Sequence, residues 1–357
     1  MFVLPLYNIL PKGTDIHANF SPSQIMSNYF ELRSPLDEVY LGVGFDPLLC
    51  SANHSCEPNS VVVFNQPQAV MRALKPIKKG AEIFMRYVDT TNPFSVRQSD
   101  LKEQYYFSCQ CAKCRKGAKF AEDTFSKQPE ELSADYCDLA DTLIERHSDK
   151  LHKYYVPVND ETAQRRLTAL QAQAFTVADC PAGEDDEEEI IATLKMCIDS
   201  GLWDWSRQPV PVLCQKLFGM NIESGNPYRA FRLGLKRYFD ITPKLYSQPF
   251  YPDRLIDLWA MSTVTNVLCS PTHQEIYEEF AKNGIDLPKV YFGFLLELRD
   301  NIPRMYGADS PFGRLVEFTY GELISKMGRT EAEIRNLVSE VWPSLQIIAR
   351  KVYLEAL

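Results

Sequence analysis

Asn53-His54-Ser55-Cys56-Glu57-Pro58-Asn59 is followed further along the chain by Cys109-Gln110-Cys111-Ala112-Lys113-Cys114. The second stretch reads as metal chemistry. Structural zinc takes four ligands tetrahedrally, and Cys-x-x-Cys lets two thiolates reach one ion without straining the backbone. Cys109, Cys111 and Cys114 supply three ligands. No His or Cys lies between Cys114 and Cys137, so the fourth comes from elsewhere, and Cys50 and Cys56 are the nearest upstream thiols. Cys56 is the choice because it sits inside the heptapeptide. Neighbouring cysteines can be no more than small buried hydrophobes, but gaps this short do not set three side chains on one apolar face. The heptapeptide alone is ambiguous. Pro58 and Asn59 are strong turn formers and Asn53 could cap a loop, so the thiol cluster is what turns it into a candidate site.

Around these stretches the pattern is first β, then α. Ser60 to Phe64, a Gln66-Pro67 turn, Ala69 to Leu74, a Lys79-Gly80 turn and Glu82 to Val88 predict successive short strands. Ile83, Met85 and Tyr87 alternate with Phe84, Arg86 and Val88, a strand buried largely on both faces, where a Tyr is ordinarily core with a satisfied hydroxyl. From about residue 121 the period becomes helical: Leu132, Tyr136, Leu139 and Leu143 form one face, and Ala163, Leu167, Leu170, Ala174 and Val177 another. Asn226-Pro227, Ser270-Pro271 and Ser310-Pro311 each read as an N-cap followed by Pro at the first helical position. Their spacings of 44 and 40 residues suggest stacked helix pairs. The run Glu184-Asp185-Asp186-Glu187-Glu188-Glu189 is an acidic first turn favoured by the helix dipole. The fold class expected is α+β, with a β-rich part over 1–107, a zinc-binding segment over 108–120 and an all-α part over 121–357.

Composition bounds the rest. A chain of 357 residues is long enough for two domains. Beyond the four assigned to zinc, Cys50, Cys137, Cys180, Cys197, Cys214 and Cys269 show no framework spacing, which reads as a reducing compartment, cytoplasm or nucleus. The apolar opening Phe2-Val3-Leu4-Pro5-Leu6 lacks a basic flank and a small-residue cleavage site, so no signal peptide is expected. No run approaches the roughly 18 apolar residues of a membrane span. Residues 1–120 carry 13 Lys and Arg against 10 Asp and Glu, and the remainder 25 against 37. Ordinary solubility accounts for an acidic helical surface, and it would also draw a Lys-rich protein segment toward the first half. There is no basic stripe with interleaved aromatics, so no direct nucleic-acid partner is expected. A monomer is expected.

Three segments together resemble the SET-domain lysine methyltransferases, most closely the SMYD branch that joins SET, post-SET and a helical C-terminal domain. They are Gly42-Val43-Gly44-Phe45-Asp46-Pro47 leading into Asn53-His54-Ser55-Cys56; Arg72-Ala73-Leu74 with Gly80-Ala81-Glu82-Ile83 and Tyr87-Val88-Asp89; and Gln104-Tyr105-Tyr106-Phe107-Ser108 running into Cys109. The resemblance spans residues 28 to 114. It implies an S-adenosylmethionine-dependent protein-lysine N-methyltransferase acting on histone or non-histone proteins, with zinc in the post-SET segment and a helical domain like tetratricopeptide repeats. By resemblance the Asn53-His54 segment threads a neighbouring loop as a pseudoknot, Asn53 holding the amino-acid end of the cofactor and His54 the adenine. Tyr87 matches the catalytic tyrosine, Phe30 and Tyr105 the lysine channel, and Asn28 and Phe107 the cofactor side. Nothing in residues 1–27 resembles the Gly-rich cofactor loop, the early strands or the MYND finger, so residues 1–107 are expected to hold the C-terminal portion of SET. Ala81 and Arg86 also depart from the pattern. The alternative is a non-catalytic, zinc-containing SET-like adaptor that binds protein partners.

Overall fold

β-branched residues crowd the first part of the chain and helix formers the second, and the computed structural model follows that division. It describes residues 2–5, 30–34, 40–44, 46, 48–65, 68–117, 171–180, 186–199, 203–327 and 330–352. Seven short strands come first among these: β1 Phe2–Pro5, β2 Phe30–Arg33, β3 Tyr40–Gly44, β4 Asn53–His54, β5 Ser60–Asn65, β6 Gln68–Ala73 and β7 Phe84–Met85. β5 and β6 form an antiparallel hairpin in which Val63 faces Val70 and Asn65 faces Gln68. β1 adds to the other edge of β6, giving the order β1-β6-β5. Residues 2–5 thus form a strand where the sequence suggested only an apolar opening. β2 pairs with β3, antiparallel, with an irregularity between Leu32 and Arg33. The seven-residue strand expected over Glu82–Val88 shrinks to Phe84–Met85. Among the described residues its only ladder partner is the two-residue β4, and Ile83, Arg86 and Tyr87 are half-buried rather than enclosed on both faces.

Helix α1 spans Phe94–Tyr105, and residues 171–178 are helical. After these come α2 Glu187–Asp199, α3 Val210–Glu223, α4 Pro227–Lys236, α5 Pro252–Leu268, α6 Gln274–Lys282, α7 Leu287–Met305, α8 Pro311–Met327 and α9 Glu331–Arg350. Their starts show the expected chemistry. Asp186 Oδ1 accepts from the amides of Glu188 and Glu189 at the head of the acidic first turn of α2. Asn226 caps α4 through the amide of Arg229, and Ser310 Oγ accepts from Gly313 N at the start of α8. Thr330 and Glu333 make a reciprocal capping box on α9. Ser270-Pro271 departs from expectation: Pro271–His273 is a 3-10 turn with no side-chain cap, and α6 begins only at Gln274. A Pro fixes φ but does not by itself choose between the two helical hydrogen-bond patterns.

α7 is the centre of the helical part, with Leu287, Val290, Phe294, Leu295, Leu298 and Met305 fully buried against α5, α8 and α9. Ala174 and Val177 are buried as expected. The Leu132 to Leu143 face, Ala163, Leu167 and Leu170, the Gln66-Pro67 turn and Asn28 lie outside the described residues. Val61, Val63, Val70 and Leu74 join the same apolar core as the helices. Burying one such side chain is worth about 1.5–3 kcal/mol, so the β5-β6 face is a substantial anchor. Polar contacts complete the junction: Arg72 Nη2 donates to Tyr306 O at 3.2 Å, Gln208 Nε2 to Thr91 Oγ1 at 2.8 Å, and Arg86 Nη2 to both Asp253 oxygens at 3.3 Å.

Candidate functional site

The parallel pairing of Asn53 with Phe84 and His54 with Met85 sets the heptapeptide against the segment that leads to Tyr87. Beyond the ladder, Ser55 N donates to Met85 O at 3.0 Å. Asn59 then does the work of a further peptide unit: its Nδ2 donates to Glu82 O at 2.9 Å and its Oδ1 accepts from Phe84 N at 2.8 Å. Only a carboxamide offers donor and acceptor side by side in this way. Sequence reasoning took Asn59 for a turn former and missed this role. Asn53 points outward, its Nδ2 donating to Glu82 Oε1 at 2.6 Å.

Four rings converge beside this pairing. Tyr87 lies with its centroid 4.8 Å from Tyr105, 5.3 Å from His54 and 6.4 Å from Phe107, and His54 and Phe107 are 6.1 Å apart. The Tyr87 hydroxyl donates to Ala52 O at 2.7 Å, and the Tyr105 hydroxyl donates to Tyr87 O at 3.3 Å. Burial, and then Cys50, hold the Tyr87 phenol above its ordinary pKa, so it stays protonated. Tyr105 ends α1, and the chain turns through Tyr106 at φ 62° before Phe107 folds back. That left-handed cap leaves Tyr106 77% exposed between two half-buried neighbours. Phe30 opens β2 opposite Gly44.

The thiols of Cys56, Cys109, Cys111 and Cys114 lie within 4.8 Å of one another. A tetrahedron with Zn–S bonds of about 2.3 Å has edges of roughly 3.8 Å, and Cys56 and Cys114 are 3.5 Å apart. Cys50 is not in the group. Amides of the loop point at the sulfurs, Cys111 N at Cys109 Sγ and Cys114 N at Cys111 Sγ, each at 3.5 Å. Gln98 on α1 clamps the peptide of Cys109, its Oε1 accepting from Cys109 N at 3.0 Å and its Nε2 donating to Cys109 O at 3.1 Å. Burial pushes the Cys56 thiol far up, with Cys114 adding to it, and pushes Cys109 up to about 11. Cys111 is half-buried, and hydrogen bonds from the amides of Cys114 and Cys56, then from the neighbouring thiols, outweigh that burial and bring it down to about 6. Four such sulfurs ionise together only around a cation, and the donor set fits a soft divalent ion.

His54 joins the two halves. It is buried at 8% exposure, accepts from Tyr87 N at Nδ1 at 3.0 Å, and sets Nε2 3.3 Å from Cys56 Sγ. Both ring nitrogens thus have partners inside the protein, which leaves the ring face and the main chain of His54 for any further contact.

A SET-domain family profile matches residues 18–88, beginning earlier than the segments quoted above. The chain is 34% identical over 114 residues to the mouse histone-lysine N-methyltransferase SMYD3, and 40% over 92 residues to the zebrafish N-lysine methyltransferase SMYD2-B. These matches support a SET domain of the SMYD type in this chain. The chain is also 49% identical over 73 residues to the Arabidopsis thaliana histone-lysine N-methyltransferase ASHR1. These matches cover 32%, 26% and 20% of the chain, and 26%, 21% and 15% of the SMYD3, SMYD2-B and ASHR1 relatives respectively. No helix of the described residues is long and apolar enough to cross a membrane.

Proposed function

We propose that the chain is an S-adenosylmethionine-dependent protein-lysine N-methyltransferase, with Tyr87 as its catalytic residue. The observation that carries this is the half-buried ring cluster of Tyr87, Tyr105 and Phe107, fastened to the Asn53-His54 strand and the four-thiol site. A free lysine has a pKa of about 10.4 and is almost wholly ammonium at neutral pH. Apolar walls disfavour that charge and leave more of the nucleophilic amine. Tyr105, with Phe30, would line the lysine channel; Asn53, Asn28, Phe107 and the turn around His54 would hold the cofactor. Tyr87 is not a base: its proton is committed to Ala52 O, and burial keeps it a neutral phenol. Its oxygen remains an acceptor that can orient the amine. S-adenosylmethionine, when bound, supplies the electrophilic methyl group. Cys56, Cys109, Cys111 and Cys114 would hold one zinc ion, which fixes Phe107 and the Asn53-His54 strand relative to each other.

The substrate class is a lysine in a protein, histone or non-histone, drawn in by the acidic second half. Free cysteines throughout the described residues fit the cytoplasm or nucleus. We place the SET part at 1–107, the zinc segment at 108–120 and the helical part at 121–357. Calorimetric titration of this chain with S-adenosylmethionine, followed by methyl transfer to a lysine peptide, tests the reading. Saturable binding with transfer supports it; neither in a folded, zinc-loaded chain leaves the adaptor.

A further inference from the structure

His54 stands between the thiol site and Tyr87, and elementary valence fixes the direction of its two hydrogen bonds. The main-chain N–H of Tyr87 can only donate, and it meets Nδ1 of His54 at 3.0 Å, so that nitrogen carries no proton. A neutral imidazole has one proton, which then sits on Nε2, 3.3 Å from Cys56 Sγ. We infer that His54 is a positioning residue that donates Nε2–H to a metal-bound Cys56 thiolate and thereby ties the metal site to the backbone of Tyr87. This rests on the zinc reading above and is independent of methyl transfer.

Two effects follow. An N–H···S bond draws charge off the sulfur and makes a buried thiolate easier to keep, since hydrogen bonds to an ionised group are stronger than neutral ones. The same proton bars His54 from being a metal ligand itself, which leaves the four sulfurs as the complete set.

The test uses the full chain with Co(II) in place of zinc, comparing wild type with His54→Phe, which keeps a ring and deletes both nitrogens. The expected result is a four-thiolate cobalt spectrum in both, with the sulfur-to-cobalt charge-transfer band at lower energy in the variant. Zinc release to a chelator should also quicken by about 10–100-fold, as for other partners of metal ligands. An unshifted band with unchanged release overturns the proposal while leaving the zinc site standing; a wild-type chain that takes up neither metal overturns both. Should His54→Phe fail to fold, nitrogen-15 spectra of histidine in the unaltered zinc-loaded chain decide. A protonated Nε2 beside an acceptor Nδ1 supports the assignment, and a proton on Nδ1 overturns it.

Discussion

Tyr87→Phe deletes one hydroxyl and keeps the ring that packs on Tyr105 and His54. The lost bond to Ala52 O should cost about 1 kcal/mol of stability. Turnover on a lysine peptide should fall while cofactor affinity stays near wild type, as steady-state kinetics and calorimetry would show. Wild-type turnover in this variant would remove Tyr87 from the chemistry. Asn53→Ala makes the opposite split: its side chain is exposed and bonded to Glu82, so melting should hardly move, whereas cofactor binding should weaken by about 1–3 kcal/mol. At this scale the sequence was most legible where spacing was short. Cys109, Cys111 and Cys114 announce themselves within six positions, and Cys56 followed from its heptapeptide. Asn59 and Gln98 stayed hidden because a carboxamide that imitates a peptide leaves no pattern, and its partners are 23 and 11 residues away.

Among the elements, cap-and-proline pairs located the starts of α4 and α8, periodicity was met at Ala174 and Val177, and the strand at Tyr87 was overstated. Parallel pairing between two-residue strands has no sequence period to detect, so Phe84–Met85 was extended in both directions. α1 was missed because only Arg97 and Leu101 of its residues are buried, too few to mark a face, although Asn92-Pro93 carries the same punctuation as later helix starts. Close packing of helices gives a sharper expectation. A Cβ on Gly293 of α7 would lie 2.3 Å from the ring of Trp342 on α9, whereas one on Gly321 of α8 would meet nothing within 4 Å. Gly293→Ala should therefore destabilise by about 1–3 kcal/mol through overpacking. Gly321→Ala should stabilise by about 0.5–1 kcal/mol through helix propensity. Urea denaturation of both variants checks the pair, and equal effects would mean α7 and α9 do not pack this way.

In the whole molecule, the contact that matters most to the site is one that ties it to the helical part. Arg86 precedes Tyr87 and reaches Asp253, 167 residues on, at the start of α5. The pair is about a third exposed, 31% and 35%, so a double-mutant cycle of Arg86→Met and Asp253→Asn should give a coupling of about 0.5–1 kcal/mol. No coupling would mean that the helical part does not restrain Tyr87. Acid should separate the two parts. Burial pushes the Asp257 and Glu297 carboxyls up, against Arg237 in the first case and the Tyr238 hydroxyl in the second. A folded pKa above the unfolded one means that the native state takes the proton first. Their contribution is thus fully present below the ordinary carboxylate range and is lost as pH rises through the folded values. Thiolate ligands behave oppositely and give up their metal as pH falls. Between about pH 7 and pH 5 zinc should leave before the helical circular dichroism changes; loss of both together would contradict this. Through Cys56 and Cys114, 58 residues apart in sequence, the proposed ion would close a long loop of chain. Closing such a loop removes enough freedom from the unfolded ensemble to be worth about 4 kcal/mol in the chain-entropy account. Where thiols are kept reduced and a covalent cross-link would not last, that would make the cell's free zinc level one of the quantities that decide how much of the protein is folded.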